Sequence, residues 1–152
     1  MRLLGTALAA VVIGASVTAG GYAVAAADDD SQGAVRGPGT TTVTITIRDS
    51  RFQPRRIRVW EGTQVRFVVR NRDPIGHELV VGPESVHLRH EQGSEAAHPP
   101  VPGEVSLGPL QTGATVYDFD DAEEFRVVCH LPRHEDYGMV GAVEVVPRPD
   151  DR

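Results

Sequence analysis

Residues 125–141 read Phe125-Arg126-Val127-Val128-Cys129-His130-Leu131-Pro132-Arg133-His134-Glu135-Asp136-Tyr137-Gly138-Met139-Val140-Gly141. Phe125, Val127 and Cys129 recur at every second position, so on a strand they share one face, and the thiol ends that face pointing into a core. Pro132 stops the strand, because it has no N–H to give to a ladder. The loop beyond it presents His134 and Met139. A thiolate, an imidazole and a thioether are soft and intermediate donors, which suit copper and poorly suit Mg or Ca. A trigonal copper site needs a second imidazole. His77 supplies it, standing where a strand resumes after the turn Asn71-Arg72-Asp73-Pro74-Ile75-Gly76. A His and a Met at such offsets from a single Cys coincide by chance in roughly half a percent of sequences of this composition.

Outward from this stretch the period-2 pattern repeats. Val43, Ile45 and Ile47 alternate with Thr44 and Thr46. The alternation returns at Ile57 and Val59, at Val65, Phe67 and Val69, and at Leu79 and Val81, with further strands predicted at 105–107, 115–119, 124–129 and 142–146. No segment beyond the leader keeps a 3.6-residue period. Seven to eight short strands separated by Gly, Pro, Asn and Asp turns predict an all-β sandwich or small barrel. Residues 82–103 interrupt the regularity as a long loop bearing His87, His90 and His98. A loop of that length in a compact domain usually serves a function or moves.

The N-terminus reads as an export signal. Met1-Arg2 precedes a small and apolar run from Leu3 to Ala19, and an A-x-A cleavage pattern abuts Asp28-Asp29-Asp30. Residues 1–27 are assigned as a signal peptide, with an uncleaved N-terminal anchor as the alternative. Residues 28–40 form an acidic, Gly-containing linker, 41–147 the folded domain, and 148–152 a polar tail. The destination is therefore periplasmic, cell-surface or secreted. The 152-residue chain carries 15 basic and 21 acidic side chains, a net charge of −6, and all of its basic residues are Arg. An acidic balance without a basic run argues against nucleic-acid binding. One Cys excludes an intramolecular disulfide framework and any site built on several thiolates. Once the leader is removed, Cys129 and Met139 are the remaining sulfurs.

The run Phe52-x-Pro54-x-x-Ile57-x-Val59-x-x-Gly62-x-x-Val65-x-Phe67-x-x-x-Asn71, then His77, then Cys129-x4-His134-x4-Met139-x-Gly141, resembles the cupredoxins, the plastocyanin and azurin class of blue copper proteins. The resemblance covers about residues 41–146. It implies a Greek-key β-sandwich with one type 1 copper ion at one end, held by His77, Cys129 and His134 in a plane with Met139 as the long axial ligand. It also implies one-electron transfer between Cu(I) and Cu(II), with the His edge of the Cys loop as the exit. Thiolate and thioether favour Cu(I) and two imidazoles keep Cu(II) acceptable, so one fixed geometry serves both states.

Two positions depart from that pattern. An Asn follows the upstream His in plastocyanin and azurin and helps to fix the Cys loop; here Glu78 stands there. Cys129-His130-x3-His134-x3-Gly138-Met139 also matches most of a multicopper oxidase signature, but Val128 replaces the His before the Cys and the chain has no His-x-His pair. His130 is read as a surface or electron-path residue. His87, His90 and His98 compose a candidate weak second metal site, against the plainer reading of a solvated loop. Trp60 and Phe52 are read as core, and Arg51, Arg55, Arg56 and Arg58 as a solvated basic face. The functional reading is a monomeric electron-transfer protein working with a redox partner, a cytochrome or copper enzyme. The alternative is a module for copper storage, delivery or resistance. No hydrolase constellation is present, and four protein ligands leave no open copper position for an enzyme acting alone.

Overall fold

A computed structural model describes residues 39–92 and 101–149. The period-2 segments fold as strands, because alternating β-branched and polar residues bury one face and solvate the other. In order they are β1 (Gly39–Arg48), β2 (Arg51–Gln53), β3 (Arg56–Trp60), β4 (Thr63–Asn71), β5 (His77–Gly82), β6 (Glu104–Leu107), β7 (Thr112–Phe119), β8 (Glu124–Val128) and β9 (Val140–Val146), with one helix, α1 (Glu84–Gln92), after β5. One sheet has the order β2-β1-β4-β7 and the other β3-β9-β8-β5-β6. The pairs β1·β4 and β3·β9 are parallel and the other ladders antiparallel, as a sandwich requires when the chain crosses between sheets.

The two sheets face each other through the predicted residues. Val43, Ile45 and Ile47 from β1 and Val65, Phe67 and Val69 from β4 meet Leu79, Val81, Phe125, Val127, Val143 and Val145 in one buried cluster. Phe119 sits at its aromatic centre, edge-on to Phe67 and Phe125 with ring centroids 6.3 and 5.1 Å away. Cys129 and Met139 belong to the same cluster, so the sulfur-bearing end of the sandwich is continuous with its core.

Four expectations change. Nine strands form among the described residues, rather than seven to eight. The extra one, β2, is three residues long with Phe52 its one buried side chain, too short to show a period. Residues 82–103 are not a uniform loop, because their first half folds as α1. Pro83 precedes the first turn, acidic Glu84 lies within it, and Arg89 and His90 close the last, charges that complement the helix dipole. Its buried residues are His87 and His90 rather than aliphatics, so no apolar stripe announces it. The solvated-loop reading of these two histidines is thereby overturned. Trp60 is half-buried at the end of β3, whereas Phe52 is in the core. The Arg face stays at the surface, as expected, with two of its members ion-paired across the sheet: Arg58 forms a fork on Glu144 at 2.8 and 3.0 Å, and Arg56 meets Glu124 at 2.6 Å.

Candidate metal centre

Three loops converge at one end of the sandwich, and short-range bonds fix each. Asp49 and Ser50 connect β1 to β2 with φ of 52° at both residues, the twist-compatible two-residue hairpin in which Asp and Ser tolerate the left-handed region better than β-branched residues do. Their N–H groups donate to the two oxygens of Asp73, at 2.8 and 2.9 Å. The turn that carries Asp73 is itself held by Asn71, whose amide donates to the carbonyls of Ile75 and Gly108 and whose oxygen accepts from Asp73 N. Asp73 then accepts from His77 Nε2 at 2.9 Å. That bond occupies Nε2 and leaves Nδ1 of His77 to face the site. Burial alone would raise the Asp73 carboxyl, but the bonds from Ser50, Asp49 and His77 outweigh it and hold the group below its ordinary value.

The Cys loop closes on itself. Cys129 N donates to Met139 O, and Met139 N donates to His134 O at 2.9 Å, so both ends of the loop from Cys129 to Met139 are stapled around His134. Inside it, His134 N reaches Leu131 O, Tyr137 N reaches Arg133 O and Gly138 N reaches Glu135 O. Gly138 adopts φ of 84°, a conformation that a side chain would strain, immediately before Met139.

The donor atoms meet as the spacing predicts. His77 Nδ1 and His134 Nδ1 are 3.3 Å apart, and Cys129 Sγ lies 3.2 Å from His134 Nδ1. Two nitrogens each about 2.0 Å from one ion at a near-tetrahedral angle lie about 3.3 Å apart, so these separations fit donors that share a single metal. His77, Cys129 and Met139 are buried and His134 half-buried, making His134 the wet edge of the group. Burial pushes the Cys129 thiol up to about 11, against the N–H bonds from Glu78 and Leu131 that favour the thiolate; a metal must therefore displace that proton. Burial and the facing His77 ring keep His134 below the usual imidazole value, with its lone pair available near neutral pH.

Glu78 takes over the role that the departure at this position put in doubt. Its N–H donates to Cys129 Sγ at 3.5 Å and its carboxylate accepts His130 N–H at 2.8 Å, so one buried residue ties β5 to both sides of the Cys129–His130 peptide. His130 does not lie on the surface: its ring is 2% exposed, with Nε2 3.0 Å from His87 Nδ1 and its face stacked on His90. Burial drops His130 to about 4 and also lowers His87. His98 lies outside the described residues. Sequence reasoning missed Asp73 as the residue that orients His77. Its placement four residues before His77, inside a turn rich in backbone-binding side chains, was the available signal.

Comparison with known proteins agrees with this geometry. The sequence profile of copper binding proteins of the plastocyanin/azurin family matches residues 39–146. The copper-resistant cuproprotein CopI of Rubrivivax gelatinosus is 37% identical over 109 residues, covering 68% of this chain and 66% of its own length. The protein of the same description from Pseudomonas aeruginosa is 25% identical over 138 residues, covering 70% of this chain and 76% of its own. Among solved structures, reduced auracyanin from Roseiflexus castenholzii superposes with a TM-score of 0.59 at 21% identity, over 70% of this chain and 98% of that one, a likeness of fold. With two imidazole nitrogens and a cysteine sulfur gathered at the end of a two-sheet sandwich, and with this match over residues 39–146, the chain belongs to the plastocyanin/azurin family of copper-binding proteins.

Proposed function

We propose that His77, Cys129, His134 and Met139 hold one copper ion in a type 1 site, and that the protein passes single electrons through it in an exported compartment. The observation that carries this reading is the convergence of His77 Nδ1, His134 Nδ1 and Cys129 Sγ on one buried point whose supports are all backbone-anchored. Bound copper supplies a one-electron Cu(I)/Cu(II) couple. The chain's part is to keep the donors from moving between the two states. Asp73 holds the His77 ring, Glu78 holds the sulfur, and the staple from Cys129 through Met139 to His134 holds the loop. The half-buried His134 is the route by which an electron leaves. Exposed Ile75 and Tyr137, on the loops that carry Asp73 and Met139, and Leu110, on the β6–β7 turn, whose N–H donates to Asp73 O, offer an apolar landing for a redox partner such as a cytochrome or copper enzyme. The N-terminal leader pattern supports export, and the same domain acts as a monomer.

A second reading, copper resistance through capture or delivery, is favoured by the two relatives described as copper-resistant cuproproteins. Stopped-flow reduction and reoxidation of the copper protein separates the two. A carrier is reduced and reoxidised rapidly at both steps with its copper retained. Slow exchange at either step, or loss of copper on reduction, contradicts the carrier and favours capture and delivery.

A further inference from the structure

The copper end of the sandwich keeps positive charge that its local structure does not require. Arg48 and Arg51 stand directly opposite each other in the β1·β2 ladder, a like-charge pairing that costs stability. Arg72 is exposed in the turn between Asn71 and Asp73, Arg55 lies against the start of β9 with its Nε 3.4 Å from Val140 O, and Arg133 immediately precedes His134. The Arg51 guanidinium carbon is 3.8 Å from where a Cβ on Gly138 would stand, and that of Arg133 is 5.0 Å over the centre of the Tyr137 ring. Among the described residues none of these five has a carboxylate within 4.0 Å, whereas Arg56, Arg58, Arg89 and Arg126 are all ion-paired.

Two large side chains at this end are held in the left-handed backbone region, Arg133 at φ of 69° and Leu110 at φ of 59°. Gly or Asn adopts that region at less cost, so the turns themselves call for neither residue. Both side chains are exposed, as is Tyr137 between Arg51 and Arg133. The acidic residues gather elsewhere. Asp118, Asp120, Asp121, Glu123 and Glu124 are exposed around the β7–β8 turn, roughly 17 Å along β8 from Cys129. Screening at 0.1 M salt falls over about 10 Å, so a partner at the copper end meets the local Arg residues before the net charge of −6. The exposed carboxylates near them are Asp49 and Asp136, two against five; Glu135 is bound to Arg126, and Asp73 and Glu78 are buried with N–H donors on their oxygens.

We propose that Arg48, Arg51, Arg55, Arg72 and Arg133 form a cationic rim that docks the acidic face of a protein redox partner onto Tyr137 and Leu110, beside His134. Charge complementarity of this kind steers encounter and fixes orientation, while the apolar centre supplies the contact. The proposal rests on the reading that electrons leave at His134, and it adds the chemistry of the partner's surface.

The test uses the full-length protein in its Cu(I) form, oxidised in stopped flow by hexacyanoferrate(III), an anion, or by tris(phenanthroline)cobalt(III), a cation. From about 10 mM to about 1 M salt the anion's rate should fall about fivefold or more, and the cation's rate should not fall. Arg51→Gln and Arg133→Gln should each slow the anion about threefold or more at low salt and leave the cation unslowed. An anion rate that rises with salt, as the net charge would dictate, or wild-type rates in both variants, overturns the proposal. Redox-inert hexacyanochromate(III) keeps this test apart from the electron-transfer reading. Even where neither oxidant reacts rapidly, that anion should broaden the Tyr137 ring resonances of the Cu(I) protein, and less so in the two variants; unbroadened Tyr137 resonances overturn the rim. Pelleting of the wild-type protein but not the variants with phosphatidylglycerol vesicles would assign the rim to a lipid surface and overturn the proposal as well.

Discussion

Replacing Asp73 by Asn tests how the His77 ligand is held. The carboxylate accepts three bonds, from Asp49 N, Ser50 N and His77 Nε2. An amide has one oxygen and one NH2, so at least one of those donors must face another donor. If a backbone N–H of the hairpin is orphaned, the cost is about 1–3 kcal/mol of stability. If the His77 ring is orphaned, it loses the bond that directs Nδ1 at the site, and loss of such an orienting partner typically costs 10–100-fold in metal affinity. The amide satisfies either side incompletely, so we expect both effects at once: copper affinity about tenfold lower or worse, and the urea midpoint of the metal-free protein reduced by the equivalent of about 1–2 kcal/mol. Affinity is read by chelator competition on the visible copper band, and stability by urea unfolding at pH 7. The carboxyl also makes the effect pH-dependent. Its folded value lies below the unfolded one, so its stabilisation is present above the ordinary Asp value near 3.8 and is lost as pH falls through the lower folded value. Wild type and Asp73→Asn should therefore converge in stability in strong acid. An Asn variant with wild-type copper affinity and midpoint would refute the orienting role.

Three further outcomes follow from named contacts. Glu78→Gln keeps an acceptor for His130 N–H but removes the carboxylate that opposes ionisation of Cys129. A charge at roughly 7 Å and an effective dielectric of 20–40 is worth about 1–2 kcal/mol, so voltammetry should show the copper potential higher by roughly 50–100 mV, and a lower or unchanged potential counts against it. In the metal-free protein, the folded values of His130 and His87 lie below the unfolded 6.5, so the buried neutral rings stabilise fully above pH 6.5 and lose that contribution as pH falls towards about 4. Glu135 and Glu84 favour the protonated rings while His90 and Arg126 oppose them, and burial dominates. The urea midpoint should drop between pH 6.5 and 4 by the equivalent of up to ~3 kcal/mol, and a flat profile there contradicts the burial. A Cβ at Gly141 would stand 2.6 Å from the Arg55 carbonyl oxygen, a backbone atom that cannot yield cheaply. Gly141→Ala should destabilise by about 1–3 kcal/mol in thermal unfolding, and a neutral result would show that β9 shifts freely.

The sandwich was legible in the sequence because its strands are half-buried, and half-buried strands write their geometry as alternation. Val43-Thr44-Ile45-Thr46-Ile47 has the period of the pleat, and all three aliphatics are buried. The thiol, imidazole and thioether were legible because sulfur is scarce here and one loop holds both Cys129 and Met139. What escaped notice has no period. Helix α1 buries histidines, and its two aliphatics, Val86 and Leu88, stand two positions apart and form no helical stripe, although Pro83, Glu84 and the basic last turn marked its ends. His130 lies in a run that reads as a surface turn, and the partners that bury it, His87 and His90, are some forty residues away in sequence. Asp73 was hidden for a similar reason. Its three bonds join a hairpin, a turn and a strand start that adjoin only in the folded chain. Glu78 shows the converse: it departs from the family residue, yet the bond to the Cys loop survives because a carboxylate oxygen accepts an N–H as an amide oxygen does.

The copper site is tested most directly by the visible and paramagnetic resonance spectra of the Cu(II)-loaded protein beside those of Cys129→Ser. The geometry of His77 Nδ1, His134 Nδ1 and Cys129 Sγ predicts an intense thiolate-to-copper band in the wild type and its complete loss in the variant. A pale complex whose spectrum is the same in both proteins would contradict the assignment.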